Sequence, residues 1–455
     1  MTKTVALNEV PYSPDGCEMF QRIRDMPDAI FLDSSHPHAR GGRYDIMAAQ
    51  PVTDSVPTLA PRASEGQSRE FFSALGELHG EYYGGMQPAS QDIPFCGGLL
   101  GYLGYELGNS LHGVKNSGDS QPLPVARLLP YDWCIVQDHL LRRAVLVTQP
   151  RVSASQREQL LAQVRQPLTG RAGDFQLLQR FGANMDQTEY RQAFEHIQAY
   201  IQAGDCYQVN LAQRFNAPYS GDPWHAYRRL RALAAAPFAA YIATGSQEAL
   251  LCLSPERFLS LHGNHVETSP IKGTRPRYED KAADQLAAAE LRSSDKDRAE
   301  NLMIVDLLRN DLGRSCVPGS IHVDRLFEVQ SFPTVHHLVS TISGELQPQR
   351  SAIELLRDSF PGGSITGAPK RRAMEIIAEL EPHARQAYCG SVLYISADGR
   401  MDSNIAIRSL LCAQGEVLCW GGGGIVADSQ WQMEYQETFD KVGRFLSALE
   451  NDFCH

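Results

Sequence analysis

The sequence predicts an α+β fold, and three observations carry that prediction. Short apolar runs bounded by Gly, Pro and His turns recur in both halves of the chain, as strands do. Between them lie segments with apolar residues at helical spacing and a capping residue in front. At 455 residues the chain exceeds what one hydrophobic core usually supports, so two domains or one large composite are expected. A soft boundary falls in the linker-like stretch Pro167 to Asn184. It divides a β-rich segment, residues 1–175, from a second segment, residues 186–455.

Taken in order, Ala29-Ile30-Phe31-Leu32 and Tyr44-Asp45-Ile46-Met47 read as strands, and Ser68 offers a cap for a helix through Phe71 to Leu78. Cys96 to Leu107 carries four glycines among apolar residues. It has no G-x-G-x-x-G and no G-K-[ST], so tight strand crossing is preferred to a phosphate cradle. Asn109 to Pro124 is a loop. Trp133 to Val136 and Ala144 to Val147 make a hairpin through Asp138-His139. Arg151 to Arg165 is helical, with Ser153 or Ser155 as cap. Asp186, followed by Glu189 three residues on, opens a helix whose apolar face is Tyr190, Phe194, Ile197 and Ile201, and Gly204 stops it.

Cys206 to Phe215 reads as a strand with Tyr207, Val209 and Leu211 on one face and Gln208 and Asn210 on the other. Pro237 to Ile242, Leu250 to Leu253 and Phe258 to Leu261 continue the sheet, and Val266 leads into Ser269-Pro-Ile-Lys-Gly-Thr274. Tyr394-Ile395 and Ile405-Ala-Ile407 are later strands, and Ser429 to Leu446 is a closing helix.

A net charge of −11, from 42 basic and 53 acidic residues, argues against nucleic acid as the main partner. No signal-peptide core and no membrane-length apolar run is present. The ten cysteines form neither C-x-x-C nor a zinc cluster, which fits a cytoplasmic enzyme with reduced thiols.

Several constellations carry chemistry. Lys272 sits between Pro270 and Gly273, which reads as a solvated turn or as backbone brought close to a ligand. Asp297 and Glu300, and separately Glu434 and Glu437, are spaced i, i+3 on helices, with Lys441 four residues after Glu437. Each pair reads as a solvated face; two such faces opposed across a cleft would offer hard oxygens to Mg²⁺. Phe360-Pro-Gly-Gly-Ser-Ile-Thr-Gly-Ala-Pro-Lys370 enters a helix with Pro369 in its first turn, an arrangement that could receive a carboxylate. Gly421 to Gly424 suits close approach to a ligand. Arg408, ending a strand, fits a carboxylate or a structural salt bridge equally well. For His336 and His337 a satisfied core histidine is the default. Glu256 precedes Lys272 by sixteen residues, and strands joined at Gly263-Asn264 would set the two side by side as acid and nucleophile.

In order and spacing these motifs resemble the chorismate-utilising enzymes: anthranilate, aminodeoxychorismate, isochorismate and salicylate synthases. The resemblance is dense from about residue 186 to 446 and looser through Leu32-Asp-Ser34, Arg43-Tyr-Asp45 and Gly97 to Leu107. It implies the anthranilate synthase component I-like fold, a large composite β-sandwich with helices packed outside, in which residues 186–455 form the chorismate-binding catalytic domain. Pro270-Ile-Lys-Gly-Thr274 is similar to the aminodeoxychorismate-forming branch; the anthranilate-forming branch, which usually carries alanine in place of Lys272, is the alternative.

What the resemblance implies is specific. Lys272 attacks C2 of chorismate, Glu256 is the acid and base, and ammonia adds at C4 to give 4-amino-4-deoxychorismate, on the route to para-aminobenzoate and folate. Gln208 stands where water-activating relatives hold lysine. Glu300 and Glu437 hold Mg²⁺, with Asp297 and Glu434 assisting through water. Tyr388, Arg408, Gly424 and Lys441 bind carboxylates; Thr274, Thr366 and His337 line the ring pocket. A separate glutamine amidotransferase subunit supplies ammonia. Ser34, Arg43, Tyr44, Pro237 and Phe238 match a tryptophan pocket, although His36 to Gly42 departs from the pattern.

Overall fold

A computed structural model describes residues 4–39, 42–86, 90, 92–116, 122–167, 174–333 and 335–454. Parts of the loop at 109–124, of the linker at 167–184 and of the departing segment at 36–42 lie outside the described residues.

Two large antiparallel sheets organise the chain. One runs Ala6–Val10, Arg143–Thr148, Trp133–Asp138, Tyr44–Ala48, Ile30–Asp33, Phe238–Gly245, Glu248–Ser254, Ser409–Ala413, Glu416–Ile425, Gln208–Gly221 and Gly367–Ala368. The other runs Ile271–Pro276, Val335–Glu345, His265–Thr268, Arg257–His262, Met401–Asn404, Ser391–Ser396, Gly98–Leu103 and Ala126–Tyr131. Each sheet takes strands from both sides of the 167–184 stretch. Alternation within the first sheet sorts its side chains: Ile30, Ile46, Leu250 and Cys252 join the core shared with the second sheet. Their neighbours Phe31, Met47, Leu251 and Leu253 pack toward Trp224, Tyr227 and Phe445 on outer helices. The result is the expected α+β sandwich with helices outside.

Most predicted elements are present, several with shifted ends. The first long helix is Glu65–Tyr83, and its cap is Ser64, in a capping box with Gln67; Ser68 lies inside, its hydroxyl donating to the Ser64 carbonyl. The Asp186–Glu189 box is formed, and the helix is Gln187–Gln202. Ser153 caps Ala154–Arg165. The closing helix is Trp431–Phe453. Pro369 precedes the helix Lys370–Leu380 rather than sitting in its first turn. Ile405 to Ile407 is not a strand, and Arg408 does not end one: it precedes Ser409–Ala413 with a left-handed backbone, φ 51°.

The glycines of Cys96 to Leu107 serve close packing. At Gly98, with φ 140°, an added Cβ would lie 2.1 Å from the Ile395 carbonyl of the neighbouring strand. No cysteine is disulfide-bonded, and all but Cys454 are buried. No described helix is long and apolar enough to cross a membrane.

Two of the places where the chain passes directly between the sheets are adjacent. Glu248–Ser254 leads into Arg257–His262 of the other sheet through Pro255-Glu256, and Met401–Asn404 returns to Ser409–Ala413 through Ile405 to Arg408. The crossings are stitched together: Ile405 N–H donates to the Glu256 carbonyl (3.0 Å) and Ser254 Oγ to the Ile405 carbonyl (2.6 Å). Glu256 and Arg408 are thereby fixed at the seam.

Candidate active site

Glu256 is 4% exposed. Its predicted hairpin, Arg257–His262 with His265–Thr268, is formed, but Lys272 lies on the next strand, Ile271–Pro276, which pairs with Val335–Glu345. Contact between acid and lysine runs through Ser364: its hydroxyl donates to Glu256 Oε1 (2.7 Å), and its carbonyl accepts from Lys272 Nζ (3.1 Å). Ser364 belongs to the turn Gly363–Ile365 in the Gly-rich loop.

Burial pushes the Glu256 carboxyl up to about 7, against the Ser364 bond and the charges of Lys272 and Lys441. Burial also lowers Lys272 below the ordinary lysine range, although Glu300, Glu256 and Glu437 pull it back. The two groups are therefore drawn toward the neutral acid and neutral amine that acid–nucleophile chemistry needs.

The two acidic helices do converge. Lys296 Nζ stands 3.9 Å from both Glu300 and Glu434, linking Asp295–Leu312 to the closing helix. Glu434 accepts from Ser429 through Oε1, while its Oε2 is buried with no hydrogen-bond partner among the described residues. Burial raises the carboxyls of both Glu300 and Glu434. At Glu437 burial is outweighed by Lys441, 2.6 Å away, and the carboxyl ends below its usual range. Lys441 also donates to the Gly422 carbonyl (2.7 Å). Gly423 lets this helix approach, since a Cβ there would lie 3.1 Å from Glu434 Oε2 and 3.3 Å from Glu437 Oε1. Asp297 is engaged by Arg275, from which its Oδ2 accepts (3.1 Å).

Donor chemistry fits a hard divalent cation: carboxylate oxygens on two converging helices, with Glu434 Oε2 buried and orphaned among the described residues. Among the described residues no three acidic, His or Cys groups are already gathered as a closed ligand set.

Around this centre the remaining predicted residues fall as follows. Gln208 is fully buried with neither side-chain polar atom hydrogen-bonded among the described residues, and it lies against Gly424, where a Cβ would come within 2.3 Å of its Nε2. Thr274 pairs with His337 in register, Oγ1 to Nδ1 being 2.9 Å. Burial drops His337 to about 3, so it is neutral. Thr366 Oγ1 donates back to the Gly362 carbonyl (3.1 Å). Tyr388 is buried and stacks on Trp420. The Arg408 side chain makes no hydrogen bond or ion pair among the described residues, and burial lowers it. Of its two sequence readings the salt bridge is thus not formed. His336 is a satisfied histidine, held by Ser331 and Asp284.

A model of the chorismate binding enzyme family matches residues 40–447. The chain belongs to the chorismate binding enzyme family. Within it, aminodeoxychorismate synthase component 1 of Klebsiella aerogenes is 46% identical over 98% of this chain and 99% of its own. Anthranilate synthase component 1 of Streptomyces coelicolor is 37% identical over 94% of this chain and 85% of its own. The crystal structure of anthranilate synthase component I from Streptococcus pneumoniae superposes with a TM-score of 0.76 at 29% identity, covering 89% of this chain and 92% of that one.

Ser34, Arg43, Tyr44, Pro237 and Phe238 form a different feature. All five line a cavity of about 360 Å³ that also touches Asp33, Arg257 and Asn404.

Sequence reasoning passed over Ser364 and Lys296. Lys296 was available in its i, i+4 spacing to Glu300. Nothing in the spacing of Ser364 pairs it with residues 108 and 92 positions away.

Proposed function

We propose that the chain is component 1 of an aminodeoxychorismate synthase, aminating chorismate with ammonia to 4-amino-4-deoxychorismate. The observation that carries it is the bridged pair of Lys272 and Glu256, both shifted by burial toward neutrality. The 46% identity to a relative of that name supports the same branch.

In this reading the Lys272 amine attacks ring C2, the ring double bonds shift, and the C4–O bond breaks. Glu256 gives its proton to the leaving hydroxyl, which departs as water. Ammonia then adds at C4, the bond from C2 to the lysine nitrogen breaks, and the Glu256 carboxylate takes back a proton. Arg408 and Lys441 supply the positive charge that the substrate carboxylates need, and Tyr388 and Gly424 complete their surroundings. Thr274, Thr366 and neutral His337 line the ring. Gln208, having no basic group, cannot activate water and leaves ammonia as the nucleophile.

Glu300 and Glu437 would hold Mg²⁺, with Glu434 beside them. The bound ion would stabilise the ring carboxylate and offset the clustered acids. A glutamine amidotransferase subunit is the proposed ammonia source, in keeping with the "component 1" of the relative's name. The cavity lined by Ser34, Arg43, Tyr44, Pro237 and Phe238 is the proposed tryptophan pocket; calorimetric titration with tryptophan, and with Arg43→Ala as control, tests it.

The deciding experiment incubates the purified chain with chorismate, ammonium and Mg²⁺. Aminodeoxychorismate is expected; direct appearance of fluorescent anthranilate would overturn the assignment.

A further inference from the structure

Among the described residues, Ser364 hydrogen-bonds to both the acid and the lysine, and it does so through different atoms. Its hydroxyl donates to Glu256 Oε1 at 2.7 Å, and its carbonyl accepts from Lys272 Nζ at 3.1 Å. Packing holds it there. A Cβ on Gly362 would come within 2.5 Å of Ile405 Cδ1, and one on Gly363 within 2.6 Å of Leu307 Cδ2. The turn is therefore wedged between the second sheet crossing and the acidic helix, with no slack on either side.

We propose that Ser364 is a positioning residue that keeps the Glu256 proton on Oε2 and aims the Lys272 amine, so that acid and nucleophile act on one bound ring. A hydroxyl that donates to Oε1 occupies that oxygen as an acceptor, so the acidic proton sits on the other oxygen. The carbonyl accepts one amine hydrogen and leaves the nitrogen lone pair directed away from itself, free to attack. The role in catalysis rests on the chorismate reading above; the control of Glu256 does not.

Charged and titratable groups around Glu256 come from four places: Lys272 on its strand, Lys441 on the closing helix, Arg408 at the second crossing and the Cys389 thiol. None of them changes in a Ser364 variant. The Ser364 bond favours the carboxylate, so its removal raises the pH at which Glu256 loses its proton.

The test compares wild type, Ser364→Ala and Ser364→Thr. With chorismate and ammonium, Ser364→Ala is expected to lose ten- to a hundredfold in kcat with KM changed less than about threefold. Its alkaline limb moves up by about one pH unit, and Ser364→Thr restores both. Loss of rate with an unmoved limb, unchanged kcat, or no restoration by threonine would each overturn the proposal. Infrared titration of the Glu256 carboxyl, assigned by difference from Glu256→Gln, reads the same shift without turnover. That shift in Ser364→Ala, together with a wild type that does not consume chorismate, would sink the functional reading and leave the control of Glu256 standing.

Discussion

A lysine nucleophile has to be neutral, yet Lys272 is ringed by Glu256, Glu300 and Glu437, which favour the ammonium. Burial is the larger influence and lowers it. Lys272→Ala is expected to abolish any chorismate adduct seen by intact mass spectrometry; an adduct that survives would move the nucleophile elsewhere. Glu256 carries a sign that can be worked through. Its carboxyl is raised from 4.5 to about 7 in the folded chain, so folding favours the protonated form. The associated stability is complete below about pH 4.5 and is lost as pH rises through 7, a swing of about 3 kcal/mol. Glu256→Gln should therefore be more stable than wild type by about that amount at pH 8.5, and nearly equal at pH 4.5, in denaturant unfolding. It should also be inactive. Glu300→Gln and Glu437→Gln each remove a charged hard oxygen from the proposed Mg²⁺ site. Both are expected to weaken Mg²⁺ binding more than tenfold in calorimetric titration and to cut activity at least as much. Asp297, engaged by Arg275, should matter less to the metal than either.

At the scale of elements, glycine placement decides how closely backbone can approach. Gly98→Ala puts a methyl 2.1 Å from the Ile395 carbonyl in a backbone conformation that side chains avoid. A loss of about 3 kcal/mol or more is expected in denaturant unfolding. Gly76, in the helix Glu65–Tyr83, has open space around its Cβ position, and Gly76→Ala should instead gain about 1 kcal/mol. Elements whose pattern is local were legible: the Asp186–Glu189 capping box, the hairpin at Trp133–Asp138, the strands around Leu250. The misreadings have local causes too. Ser64 and Ser68 are both competent caps, and only Ser64 has Gln67 three residues on to close the box. Ile405-Ala-Ile407 is as apolar as a strand because it is buried at a sheet crossing, not because it pairs.

Over the whole molecule, both sheets interleave strands from residues 1–175 and 186–455. Ile30–Asp33 pairs with Phe238–Gly245, and Gly98–Leu103 with Ser391–Ser396. Expressed apart, neither segment should fold, while mixing the two should restore a cooperative transition by circular dichroism. Separately folded, stable segments would contradict this. The residue types themselves determined a great deal: strand and helix periods, the paired acids, the lysine between proline and glycine, and through their order a resemblance that the family match agrees with. What only the tertiary structure decided is proximity. Glu256 and Arg408 lie at one seam because two distant segments cross between the sheets there. Ser364 reaches both Glu256 and Lys272, and burial, more than charge, raises the acid and lowers the lysine. Desolvation belongs to a residue's surroundings and not to its neighbours in the chain. The lysine segment was therefore readable as a motif from its own residues, and as chemistry only once the sheets had closed around it.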